Sequence, residues 1–295
     1  MRVLVTGASG RLGGRLAACL AERFEVVGGH HDGAVPEGLP IVALDVRSPA
    51  SIEAALEASR AEAVVHAAAQ ADPDACERDP DQAETLNVRA SEAIALICRR
   101  HGLRLVAIST DLVFAGDRDV WREDDPTGPL MVYGHTKLAG EEATLAAHPA
   151  AVVTRVALVC GRGHGIHGTS SESIAWSLRA GRRLRLYTDQ FRTPVDAASV
   201  AAALERLIEG SAVGRFHLGG PERVSRAELG LRTARLLGLD TRLIETVTTQ
   251  EHPPGAPRPA DVSLDSSRAA RELGWAPRPL DVALAETRLS PDPSH

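Results

Sequence analysis

The chain has 295 residues, 44% of them hydrophobic and 24% charged, with a formal net charge of -6. That is enough to bury a large core in one or two domains of an ordinary globular protein, and the acidic balance excludes general nucleic-acid binding. No apolar run of 18 residues is present, so no membrane span is predicted. Cys19, Cys76, Cys98 and Cys160 form no CxxC pair and no metal-ligand spacing, so no metal site is expected. They read as buried apolar residues in a reducing, cytoplasmic setting, and no secretory h-region precedes the first strand.

In chain order, residues 2–6 read as a short strand, followed by Gly7-Ala8-Ser9-Gly10-Arg11-Leu12-Gly13 and a helix from Gly14. A GxxGxxG loop between a strand and a helix lets backbone N–H groups approach a pyrophosphate at the positive helix end. Gly7, Ser9, Gly10, Arg11, Leu12 and Gly13 are therefore candidate dinucleotide contacts. The second strand, 25–29, ends at His30-His31-Asp32. An NAD-selective site usually has an acid at that strand end for the ribose 2′-hydroxyl. Here His30 occupies the place, and a histidine does not repel a 2′-phosphate. NADP(H) is therefore the preferred coenzyme, with NAD(H) as the alternative, and Arg11 is a second group that could face the phosphate.

Residues 40–46 read as a third strand, with Asp45 placed to accept from an adenine amino group and Val46 to pack on the ring. A helix is predicted over 49–59. Residues 63–69 read as a fourth strand entering the small-residue loop Ala67-Ala68-Ala69, where a coenzyme could lie against backbone. A long helix is predicted over 80–100, with Asn87 inside it. Asparagine is a poor helix former, so Asn87 is expected to bond a neighbouring loop or support a proton relay. Residues 103–108 read as a buried strand with Ser109, Thr110 and Asp111 at its C-terminal end, where ligands of open α/β sheets bind.

Tyr133 and Lys137 are four residues apart in a segment of strong helix formers, so they share one helix face. A free tyrosine has a pKa of about 10. A neighbouring ammonium is expected to lower it, and Thr110 could hydrogen-bond the same substrate oxygen.

These motifs together resemble the extended short-chain dehydrogenase/reductases. Thr6-Gly7-Ala8-Ser9-Gly10, His66 with Ala67–Ala69, Asn87, Ser109-Thr110 and Tyr133-x-x-x-Lys137 carry the likeness. Ser109-Thr110-Asp111-Leu112-Val113-Phe114, Tyr133-Gly134-His135-Thr136-Lys137, Thr188-Asp189-Gln190-Phe191-Arg192-Thr193-Pro194 and Arg258-Pro259 look like its dTDP-4-dehydrorhamnose reductase branch. That branch also includes the beta subunit of methionine adenosyltransferase. The resemblance implies a catalytic Thr110, Tyr133 and Lys137, with Tyr133 protonating a carbonyl oxygen as hydride reaches its carbon. It implies coenzyme contacts from Asn87, Tyr133 and Lys137, and substrate contacts from Asp111, Phe191, Arg192 and Arg258. It also implies a nucleotide-sugar substrate and a homodimer. The chain departs from the rhamnose-forming pattern at Leu112, Leu158, Cys160 and Arg192, where that pattern has a Tyr, a Trp, an aromatic and a nearby Gly.

Further on, residues 152–159 read as a sixth strand, 170–180, 196–209 and 225–237 as helices, and 214–218 as a strand. Ser225 is a plain N-cap candidate with Glu228 three residues later. Arg179, Arg182, Arg183 and Arg185 form a basic cluster that could meet a diphosphate or simply be solvated. His164 and His167 lie in a glycine-rich loop and are not expected to bind metal. Residues 253–259 read as a rigid proline loop over the substrate, and 290–295 as a disordered tail.

The expected architecture is α/β: a doubly wound parallel sheet of the Rossmann type with a smaller C-terminal α/β substrate domain. Residues 1–160 with a returning segment near 193–219 would form the coenzyme domain, and 161–192 with 220–295 the substrate domain. The expected function is NAD(P)H-dependent reduction of a 4-keto-6-deoxy nucleotide sugar. A nucleotide-sugar epimerase or dehydratase that retains its coenzyme, and a non-catalytic NADP-binding regulatory subunit, are the alternatives.

Overall fold

The computed structural model describes residues 1–165, 168–252 and 257–289. His167, residues 253–256 of the proline loop and the 290–295 tail lie outside them. Seven parallel strands form the main sheet: β1 (Arg2–Thr6), β2 (Glu25–His30), β3 (Ile41–Ala43), β4 (Ala63–His66), β5 (Arg104–Thr110), β6 (Val152–Val156) and, returning late in the chain, Gly214–Leu218. Their order is returning strand-β6-β5-β4-β1-β2-β3. The winding reverses between β1 and β4, whose last residues Thr6 and His66 are register partners. A crevice at such a reversal is where doubly wound sheets take ligands.

Strand pleating sends alternate side chains to opposite faces. Val3 and Val5 face one side with Leu16, Leu20, Val106, Ile108, Val200 and Leu204. Leu4 faces the other with Leu44, Ile52, Val64, Ile94 and Leu105. Helix α1 (Arg11–Leu20) lies on the first face, with α2 (Pro49–Ser59) on the second. Ser48 caps α2, accepting from Ser51 N, a contact of about 1 kcal/mol.

The predicted helix over 80–100 is continuous but not uniform. Short α3 (Pro73–Arg78) precedes α4 (Pro80–Glu84), then a π turn spans Thr85–Arg89, and α5 covers Ala90–Arg100. The buried Asn87 lies in the π turn, and such turns often mark functional sites. Helix α6 (Val132–Ala147) crosses here so closely that a Cβ on Gly140 would stand 2.1 Å from Asn87 O.

The predicted strand over 152–159 breaks at Ala157-Leu158. Its end, β7 (Val159–Cys160), leaves the main sheet and pairs with a later strand. The second lobe follows: α7 (Ser170–Arg179), β8 (Leu184–Tyr187), β9 (Phe191–Arg192) and β10 (Val195–Asp196), the partner of β7. Helix α8 (Ala197–Glu209) and β11 (Gly214–Leu218) return to the main sheet, then β12 (Val224–Ser225), α9 (Arg226–Leu237) and β13 (Ile244–Val247) go back to the smaller lobe. Helices α10 (Ser267–Leu273) and α11 (Leu280–Ala285) close the chain. Cys160 and Val224 join Leu280 and Leu284 in one small core, and Ile174, Leu178 and Leu186 form another. All four cysteines are free and buried. No helix among the described residues is long and apolar enough to cross a membrane.

Candidate active site

The glycine loop is shaped by close approach. Gly7 has φ +68°, and a Cβ there would stand 2.8 Å from the Ala68 backbone. A Cβ on Gly13 would stand 2.2 Å from Gly7 O. Only hydrogen fits either position, which keeps side chains out of the crevice at the start of α1, the requirement for a close-lying pyrophosphate. Ser9 and Leu12 are partly exposed on this loop, and Gly10 and Arg11 are exposed. Across the crevice, Ala67, Ala68 and Ala69 are also partly exposed.

Below the loop runs a chain of buried hydrogen bonds. Thr6 Oγ1 accepts from Ala67 N and Ala68 N, both at 3.1 Å, so its own proton goes to His66 Nδ1 at 2.8 Å. His66 Nε2 then donates to Ser91 Oγ (3.2 Å), which donates to Asn87 O (2.8 Å). The partners assign the tautomer, and burial, with Lys137 adding to it, holds His66 down to about 3 and therefore neutral. Asn87 Oδ1 accepts from Gln70 N (2.9 Å), and its Nδ2 donates to Gln70 O (3.2 Å) and Thr136 Oγ1 (3.0 Å). Asn87 thus ties the loop after β4 to the turn of α6 between Tyr133 and Lys137.

The ribose end is more heavily engaged than the sequence suggests. His30 ends β2 with Nδ1 buried and unbonded among the described residues. Asp45 is held in a fork: Oδ1 accepts from Arg47 N and Nε, and Oδ2 from Arg47 Nη2 at 2.8 Å. This pair holds Asp45 down to about 2, leaving little of its carboxylate for an adenine amino group. Val46 is buried in the second core. Arg47, which the sequence reading passed over, also reaches His31 Nε2 at 3.0 Å.

Tyr133 and Lys137 open α6, whose N-terminus is capped from outside when Val132 N donates to Glu77 Oε1 at 2.8 Å. The expected lowering of the tyrosine pKa is not what the structure shows. Burial pushes Tyr133 up to about 12, with a Thr110 hydrogen bond and Arg11 opposing it. Lys137 Nζ points away to Ile108 O at 2.8 Å, so its charge acts elsewhere and desolvation of the phenol dominates. Burial also brings Lys137 down to about 8, against Glu141, which favours the ammonium. Glu141 sits one turn further along the same helix face and is itself buried. It accepts from Ser109 Oγ at 2.5 Å, from Arg155 Nη2 at 2.8 Å and from Arg215 Nε at 3.1 Å. A polar cavity of about 10 Å³, room for one water, is lined by His66, Ser91, Ser109, Lys137 and Glu141.

Arg11 lies close enough to Tyr133 to bias its ionisation, so the glycine loop and the α6 pair share one cleft. Thr110 Oγ1 donates to Asp111 Oδ1 at 3.0 Å. Asp111 and Arg192 are buried, and Arg258 bridges Asp74 (2.8 Å) and Met131 Sδ (3.2 Å) beside Tyr133. Phe191 is covered by Arg223 at 3.7 Å. The basic cluster contributes less. Arg179, Arg182 and Arg183 are exposed, and Arg185 pairs with Glu245 at 3.0 Å. Cys160 is buried in a small core, and no group of three metal-binding side chains exists among the described residues.

The family model described as RmlD substrate binding domain matches residues 1–289. A dTDP-4-dehydrorhamnose reductase of Mycolicibacterium smegmatis is 31% identical, covering 92% of this chain and 80% of its own. Methionine adenosyltransferase 2 subunit beta of Xenopus laevis is also 31% identical, covering 90% and 81%. The structure of dTDP-4-dehydrorhamnose reductase from Bacillus anthracis in complex with NADP superposes with a TM-score of 0.85 over 98% of each chain. At 23% identity, that likeness is one of fold.

Proposed function

The chain belongs to the RmlD substrate binding domain family, and from that premise we propose that it is an NADPH-dependent reductase of a 4-keto-6-deoxy nucleotide sugar. The observation that carries this is the glycine loop at the reversal of the sheet, with Thr110 ending β5 and Tyr133 and Lys137 one turn apart on α6. The side-chain-free cradle at Gly7 and Gly13 fits a dinucleotide.

Residues 1–160 with the 193–219 return hold the coenzyme in this reading, and the remainder holds the substrate. Gly7, Ser9, Gly10, Leu12 and Gly13 take the pyrophosphate, with Ala67–Ala69 and Asn87 shaping the far wall. His30 and Arg47 suit a 2′-phosphate better than a carboxylate would. The bound coenzyme supplies the hydride. Thr110 orients the substrate carbonyl, and Tyr133 gives its phenolic proton to the oxygen. Reduction needs the phenol protonated, which the raised pKa ensures at neutral pH. Lys137 lies one turn from Tyr133 with its ammonium on Ile108 O, and Asp111, Phe191, Arg192 and Arg258 face the sugar nucleotide.

NADPH oxidation with dTDP-4-dehydrorhamnose, followed by absorbance, tests this, with Tyr133→Phe as the control. Turnover that disappears in the variant supports the reductase and the acid together. The 31% identity to a methionine adenosyltransferase beta subunit favours a second reading, a non-catalytic regulatory subunit. Tight NADPH binding with no turnover on any keto sugar would select it.

A further inference from the structure

Arg226 has no part in the mechanism above. It opens α9 directly after β12, and the antiparallel pairing of β12 with β9 (Val224 opposite Arg192, Ser225 opposite Phe191) sets it beside Arg192. Its backbone N–H donates to Gln190 O at 2.9 Å. Its guanidinium is treated differently. Nη1 is shut off from solvent and has no hydrogen-bond partner among the described residues. The carboxylates beside Arg223 and Arg258 are held by those arginines: Asp261 by Arg223 at 2.6 Å and Asp74 by Arg258 at 2.8 Å.

The groups that face Arg226 come from three elements. Arg192 of β9, Arg258 of the segment after β13 and Asp111 of the turn after β5 all lie within electrostatic reach. Arg192 is 6% exposed and donates to carbonyls alone: Phe191 O at 2.6 Å, Ala260 O at 3.4 Å and Pro259 O at 3.2 Å. Asp111 is 4% exposed, with Oδ1 on Thr110 and Oδ2 buried and unbonded among the described residues. Asp111 therefore stands in reach of Arg192 and Arg226 with one oxygen unmatched, and burial raises its pKa. Desolvation and the neighbouring Arg192 bring Arg226 down to about 10. A guanidinium nitrogen shut off from solvent with no acceptor is costly, and here it stands within electrostatic reach of Asp111, the neighbour of Thr110.

We propose that Arg226 and Arg192 form an oxyanion subsite for the substrate, and that Asp111 Oδ2 takes a hydroxyl of the same molecule. The ligand chemistry is a phosphate or a carboxylate, for which a planar guanidinium is the matching donor. Its source is either the diphosphate of a nucleotide sugar or an acid group on the sugar ring. This inference rests on the reductase reading, which places the substrate against Thr110.

The test is calorimetric titration of the NADPH-loaded protein with dTDP, UDP-glucose and UDP-glucuronate, using wild type, Arg226→Gln and Arg226→Lys. If the diphosphate occupies the subsite, Arg226→Gln weakens dTDP binding by roughly tenfold or more, and lysine restores part of it. If a sugar acid occupies it, dTDP is unaffected, and a preference of wild type for UDP-glucuronate over UDP-glucose disappears in Arg226→Gln. Affinities for all three that stay within about twofold between wild type and Arg226→Gln overturn the subsite alone. A wild type that takes NADPH but none of the three overturns both the subsite and the nucleotide-sugar reading. Thermal melting of the unliganded variant separates a structural role. Arg226→Gln removes an unpaired charge and melts at or above wild type, whereas a fall of more than about 5 °C would make Arg226 a fold contact instead.

Discussion

On the coenzyme side of the cleft, Thr6, His66, Ser91 and Asn87 pass each donor to a partner's acceptor, from the glycine loop to the π turn. Around β9 and the turn after β5, Asp111 Oδ2, Gln190 Nε2 and Arg226 Nη1 are all buried with no partner among the described residues, as is His30 Nδ1 at the end of β2. A closed polar network is rigid and specifies one geometry. Such a wall suits a ligand whose shape never varies. Unmatched buried atoms are tolerated where a ligand supplies the match, and they hold the record of what that ligand carries. The secondary structure differs in the same sense. The glycine loop belongs to one seven-stranded sheet, while the region of Arg192 and Arg226 is stitched from two-residue pairings such as β9 with β12 and β7 with β10.

The strongest challenge to this comparison is at the junction of the two sides. Tyr133→Phe should lower kcat by roughly a thousandfold, the scale of a lost general acid, while NADPH affinity from fluorescence titration is unchanged. Retention of a tenth of the activity, on that same scale, would remove Tyr133 from the chemistry. Next is the closed network. Thr6→Val strands His66 Nδ1 and two backbone N–H groups, and should cost about 2–4 kcal/mol in urea unfolding. A loss under about 0.5 kcal/mol would show that the network is not what stiffens the coenzyme wall.

A pH experiment sharpens the role of the buried pair on α6. Lys137 is held at about 8 by burial, against Glu141, compared with about 10.4 for a free lysine. The free enzyme loses this ammonium as pH rises through about 8, so kcat/KM should fall there. Glu141→Gln removes the charge that favours the ammonium, so the fall should move to lower pH. An unmoved limb would detach Glu141 from Lys137. For stability the sign is reversed. Between about 8 and the unfolded value, the unfolded chain binds more protons, so this group's contribution to stability rises with pH. The smallest effect is at the ribose end. Arg47→Ala should raise KM for NADPH by roughly tenfold and leave NADH nearly unchanged, the discrimination of one charged contact. Equal effects on both coenzymes would show that Arg47 only holds Asp45.

Much of the coenzyme half was legible before any coordinates. The strand of 2–6, the glycine loop and the helix that follows are contiguous, and local chemistry dictates each. The Tyr133 to Lys137 spacing was legible for the same reason, being a property of one helix. The direction of the tyrosine shift was not, because it depends on how much protein surrounds the phenol and on Lys137 Nζ turning to Ile108 O. Nor was the fork of Arg47 on Asp45, which the sequence left as two unrelated residues in a loop. The break of the 152–159 segment was hidden because its apolar residues suit either one strand or two, and only pairing with β10 decides.

The sequence by itself determined the α/β class, the strand-glycine-loop-helix unit at its start and the shared helix face of Tyr133 and Lys137, since periodicity, glycine spacing and helix geometry act over a few residues. The tertiary structure alone decided which side chains meet across long separations. Glu141 finds Arg155 and Arg215, His66 finds Thr6 and Ser91, and Arg226 arrives beside Asp111. Burial and charge at those meetings set the ionisation of the site, and they exist only once the chain has folded back on itself.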